Sequence, residues 1–204
     1  MHRATPAGRG VGLLLIVQLA GLIVPFVLLR PVTGAPVEIL AHAAPSEGLI
    51  GVALGLLLAN GLLTIGISLA TFDVFRRASA AAARWVLVAA VLMVATQALD
   101  DVQVLSLVAL SRQAVGAEAP DTILALAVTT AAARRWTHLT AILAIDGWIL
   151  AFYVALFRGT AVPRAVLAFG TLTALLHLAG IPVTAGLFAV VDKVLLDPLP
   201  FANF

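Results

Sequence analysis

WVLVAAVLMVATQALDDVQVLSLVAL, residues 85–110, decides the fold. A helix needs ~20 mostly apolar residues to cross the ~30 Å hydrocarbon core of a bilayer. This run is long enough, yet its second half holds Gln97, Asp100, Asp101 and Gln103. On a helix, residues i, i+3 and i+4 share a face. Gln97, Asp100 and Asp101 therefore lie together, flanked by Thr96 and Gln103, while Leu92, Leu99 and Val102 cover the other side. A charge turned toward lipid is costly. The polar side is therefore expected to look into protein or water.

The rest of the chain has the same character. It is 62% hydrophobic and 11% charged, with a mean hydropathy of +1.12. Soluble domains are about 45–50% apolar and about 25% charged. Further apolar runs cover residues 11–29, 48–72, 136–157 and 165–191. Net charge is only +2, and no basic patch is interleaved with aromatics, so nucleic acid is not an expected partner. Cysteine is absent, which excludes disulfides, thiolate catalysis and Cys-ligated metals. Abundant Ala, Val, Leu and Arg point to a bacterial source. The first run is too long for a signal-peptide core of about 7–15 residues, so it is read as a retained span despite the Ala41-His42-Ala43 triplet.

Orientation follows the arginines. With the N-terminus inside, Arg3, Arg9, Arg76, Arg77, Arg84, Arg158 and Arg164 are cytoplasmic, against Arg30, Arg112, Arg134 and Arg135 outside. Two regions resist simple counting. Residues 121–157 contain no proline and one glycine, Gly147. As one helix they would be ~55 Å long at ~1.5 Å per residue. Their first part is thus either a protruding extension of the fourth span or a separate helix on the outer surface. The other region, 165–196, is interrupted by Gly180 and Pro182 and carries Asp192 and Lys193 near its end. It is read as a kinked fifth span, with a short sixth segment as the alternative. Gly51 and Gly55 form a small-xxx-small pair expected to pack within the bundle.

Polar residues recur on the other spans. Arg135, His138, Asp146 and Tyr153 fall within roughly a quarter-turn on the fourth, at ~100° per residue. Asn60, Thr64 and Ser68 form a stripe on the second, best explained by hydrogen bonds between helices. His177 follows Thr173 on the fifth, and the first offers only Gln18. Counting rise from the span ends, Asp100, Asp101, Arg135, His138, His177 and, less closely, Asp146 can meet in the outer half. The structural reading of Asp100 and Asp101 is an ion pair with Arg134 or Arg135. The functional reading is acid–base, metal or proton-relay chemistry.

From the third span onward the chain resembles a family of bacterial multi-pass membrane proteins, domain of unknown function 4386. GWILAFYVALFRGTAVPRAVLAFG (147–170) resembles that family's junction between spans four and five, and GAEAPDTI followed by AAARRW resembles its outer segment. QALDD sits where the family tends to have Arg-x-x-Glu, so Gln97 stands for the arginine and Asp100 for the glutamate. The resemblance implies a helical bundle of about six segments, usually closed by one more span, and carries no known activity.

The expected fold is an all-α polytopic transmembrane bundle forming a single domain, with five full spans, an outer-surface helix and the alternative short sixth segment. The expected setting is the bacterial inner membrane. The leading function is binding of a lipid-like or amphipathic small molecule, or service as an accessory subunit to a membrane partner. The pocket for it would be lined by Asn60, Gln97, Asp100, Asp101, Arg135, His138, Asp146 and His177. The second reading is an intramembrane enzyme with Asp100 or Asp101 as acid or base and His138 or His177 assisting. The third is a proton-coupled transporter, against which stand the low helix count and the lack of an inverted repeat. No cofactor is expected, and no metal site, because the sequence lacks H-x-x-x-H and H-E-x-x-H spacing.

Overall fold

The structure is a computed structural model that describes residues 6–114, 121–159 and 162–191. Six α-helices and one 3-10 turn make up the described chain. They are α1 (Pro6–Leu28), the turn Arg30–Val32, α2 (Pro36–His42), α3 (Glu47–Ala78), α4 (Ala80–Ala114), α5 (Asp121–Gly159) and α6 (Arg164–Val191). Among the described residues there is no strand. Helices α1, α3, α4 and α5 are long and apolar enough to cross a membrane, and Arg164–Gly180 is a shorter apolar stretch. The chain is a membrane protein built as a helical bundle.

Helices α3, α4 and α5 form the centre, with α1 laid on α3 and α6 on α5. One residue, Ser79, joins α3 to α4, so the two helices must run antiparallel side by side. Its extended backbone ends α3, and its Oγ accepts from the Ala82 N–H at 3.3 Å to start α4. The surface is apolar: Leu13, Ile16, Leu19, Ile23 and Phe26 of α1 are each more than 60% exposed. The interior is where polar groups sit, among them Gln18, Asn60, Thr64, Ser68, Asp100 and Asp146. Water would drive the reverse arrangement, whereas hydrocarbon tolerates this one.

Two apolar clusters close the ends of the bundle. One joins Ile67 and Phe75 of α3, Val86 of α4 and Trp148 and Phe152 of α5. Its rings meet at centroid distances of 5.4 Å (Phe75–Phe152, edge-on) and 5.3 Å (Trp148–Phe152). The other joins Val32, Ile39 and Ala43 of the α1–α3 connection to Ile50, Val104 and Leu107. That connection is a folded cap. Gly34 has φ +114°, a backbone conformation that L side chains rarely adopt, and it lets Pro36 begin α2. Ser111 Oγ donates to Leu40 O at 2.6 Å and accepts from Ala44 N at 2.8 Å, which ties α2 to the end of α4.

Two expectations change here. The segment from Asp121 is not a separate surface helix: it continues into the fourth span as one 39-residue helix. Helix α6, Arg164–Val191, covers the expected fifth run and passes through Gly180 and Pro182. Gly51 and Gly55 do not serve close packing, because both are exposed and a Cβ on either would meet nothing within 4 Å. The close approach between α3 and α4 is at Gly61, where a Cβ would lie 3.0 Å from Val94 Cγ2. The proposed sixth segment, with Asp192 and Lys193, lies outside the described residues.

Candidate functional site

The polar face of α4 does turn inward, and its two acids part company there. Asp100 is 2% exposed. It receives His138 Nδ1 at Oδ2 (3.1 Å) and the more distant Thr137 Oγ1 at Oδ1 (3.4 Å). Arg134 Nε lies 3.8 Å from Oδ1. A carboxylate only accepts, so this contact makes Nδ1 the protonated ring nitrogen of His138. Arg134 also donates through Nη1 to the carbonyl of Val32, which fastens the cap to α5. Asp101 points elsewhere and accepts from Gln97 Nε2 at 2.9 Å, one turn back on its own helix.

The arginine at Asp100 is therefore Arg134, while Arg135 is exposed. Helical geometry accounts for this. From His138, Arg134 is ~40° away around the helix and Arg135 ~60°, at ~100° per residue. Arg134, Thr137 and His138 form an i, i+3, i+4 set facing α4.

Asp146 and His177 form a second, separate pair. His177 Nδ1 is 2.9 Å from both carboxylate oxygens of Asp146, which is 3% exposed. Asp146 lies eight residues from His138, ~12 Å along the axis and ~80° around it. It faces α6, not α4. Seven residues further along α5, Tyr153 lies against Gly170, seven residues back along α6 from His177. The two contacts share one antiparallel register. A Cβ at Gly170 would collide with the Tyr153 ring, so the glycine lets α6 approach there.

The eight residues expected to line one pocket are thus dispersed. Asp100 and His138 pair between α4 and α5, Asp101 is bound to Gln97 on α4, Asp146 and His177 bind α5 to α6, and Arg135 is exposed. Only Asn60 and Gln97 reach a cavity, which is of about 420 Å³. It is a half-open cleft lined by α1 (Leu15, Gln18, Leu22), α3 (Leu57, Asn60), α4 (Met93, Gln97) and α5 (Ile149, Phe152, Tyr153). It forms because α1 leans on α3 and barely reaches α4 or α5. Its volume falls within the ~300–1,000 Å³ of small-molecule sites.

Gln18 and Tyr153 belong to this site, although the sequence singled out neither as lining it. Gln18 Nε2 donates to Thr64 Oγ1, and Trp148 Nε1 donates to Ser68 Oγ at 3.0 Å. Thr64 and Ser68 of the α3 stripe work between helices as expected, whereas Asn60 makes no such bond to a described residue. Among the described residues no three His, Cys, Asp or Glu side chains converge as a metal site would require.

Lipid-facing apolar helices, buried polar pairs and a cavity between the helices define a polytopic helical membrane protein. It belongs to the family described as domain of unknown function (DUF4386), whose model matches residues 10–202. No curated protein and no solved structure matches the chain.

Proposed function

We propose that this protein binds one lipid-like amphiphile in the cavity bounded by α1, α3, α4 and α5. The cavity itself carries the reading: about 420 Å³, walled by apolar side chains and set with a few polar ones. Such walls suit an acyl or isoprenoid chain, and isolated polar groups orient its head. The setting in this reading is the bacterial inner membrane, with five crossings and a cytoplasmic N-terminus. Native mass spectrometry of the detergent-purified protein tests it. The expected result is a single small amphiphile retained by the wild type and lost from Leu22→Trp, which fills the cavity from α1. Equal retention by both would refute the proposal. A protein companion in fixed ratio and no small molecule would instead support an accessory subunit.

Acid–base catalysis at Asp100 is the second reading, favoured by the His138 contact and by the 45% exposure of the His138 side chain. If Asp100→Asn alters only stability once a reaction is known, that reading fails.

A further inference from the structure

The polar groups of the cavity indicate which amphiphile it takes; this inference rests on the binding proposal above. Gln18, Asn60, Gln97 and Tyr153 are all uncharged, and no Arg, Lys or His lines the cavity. Anionic heads are ordinarily held by arginine or lysine. The part-buried arginine of α5, Arg134, faces Asp100 and donates to the Val32 carbonyl instead.

Asn60 is the most informative of the four. It is 9% exposed and lines the cavity, with its Oδ1 beside Gly21 of α1. Its side-chain amide makes no hydrogen bond to any described residue; only its backbone carbonyl is used, by Thr64 Oγ1 at 3.1 Å. An unpaired amide is costly in an apolar setting. Gln18 and Gln97 differ, since each commits its amide nitrogen to a protein acceptor, Thr64 and Asp101 respectively.

Depth agrees with this chemistry. Asn60 lies twelve residues into its span from Gly48, ~18 Å below the outer edge of a ~30 Å core. Gln18, seven residues above Val11, lies ~10 Å from the inner edge, and so at nearly the same level. A phosphate or carboxylate head rests at the interface and is costly at mid-depth. A hydroxyl or carbonyl head on an apolar chain can sit there.

We infer that the cavity binds an amphiphile with an uncharged hydroxyl or carbonyl head, which hydrogen-bonds to the Asn60 side chain in the middle of the membrane. Two probes with one tail separate head from chain: geranylgeraniol and geranylgeranyl phosphate, titrated onto the full-length protein in neutral detergent. The alcohol is expected to bind saturably, with the phosphate at least tenfold weaker. In Asn60→Leu the alcohol should weaken about tenfold, while squalene, with no head group, binds as it does to wild type. The wild-type comparison stands even if that variant does not fold. Equal or tighter binding of the phosphate would overturn the inference about the head and leave the cavity proposal in place. No binding of alcohol, phosphate or squalene would overturn both.

Discussion

Asp100 and Asp101 are neighbours in sequence with different tasks. Asp100 is buried and faces Arg134, Thr137 and His138 from another helix, whereas Asp101 is half-buried and bound to Gln97 on its own. Removing one partner of a buried ion pair leaves the other uncompensated, at about 3–5 kcal/mol. Losing a single hydrogen bond typically costs about 0.5–1.5 kcal/mol. Asp100→Ala should therefore destabilise the detergent-solubilised protein far more than Asp101→Ala, by denaturant titration. Equal losses would mean that Asp100 does not hold Arg134 in place. The sequence made the inward turn of this face legible, since acids cannot face lipid. It left the ion pair open between Arg134 and Arg135, and placed Arg135 in the pocket because Arg135, His138, Asp146 and Tyr153 align with one another. The decisive angle was instead that between His138 and α4, which no single-helix pattern contains.

Among the elements, α5 is the most distinctive. Its 39 residues extend ~58 Å at ~1.5 Å per residue, nearly twice the ~30 Å core. Its first third is held by protein: Ala127 is buried and Ala131 packs on the cluster beneath the cap. The chain has no cysteine, so single cysteines report cleanly. Val128→Cys should react with a membrane-impermeant maleimide and Leu143→Cys should not, although both positions are exposed in the protein alone, at 49% and 42%. Labelling of Leu143→Cys would place the membrane boundary elsewhere. The contact of Tyr153 with Gly170 is the second test at this scale. Gly170→Ala forces the ring aside and should cost about 1–3 kcal/mol, in the overpacking range. Tyr153→Ala in the same chain should recover part of that loss in thermal unfolding. The run without proline left one long helix open, but its excess over the bilayer thickness argued for a separate surface helix. Helix α2 was not legible, because seven residues give too short an apolar period to read, and its stability comes from Ser111 and the cluster beneath the cap.

For the whole molecule, the apolar spans and their alternation were plain in composition, and the arginine distribution sets the expected orientation. In intact spheroplasts, Ala81→Cys, just after the α3–α4 connection, should be protected from an impermeant reagent that labels Val128→Cys. The opposite pattern would invert the topology. The cavity was beyond reach of the sequence, because it is a gap left where α1 rests on α3 and stands away from α4 and α5. Only its residues Asn60 and Gln97 were singled out, as polar groups in apolar helices. The most direct test uses the cavity's own fluorophore. Trp148 lines it and is 4% exposed, whereas Trp85 and Trp136 are 67% and 69% exposed. In Trp85→Phe/Trp136→Phe protein, Trp148 emission is followed during titration with 9,10-dibromo-octadecanol, whose bromines quench on contact. The expected result is quenching that saturates near one molecule per protein and is reversed by unbrominated octadecanol. Quenching that rises without saturation, and that the competitor does not relieve, would mean that the cavity holds no such molecule.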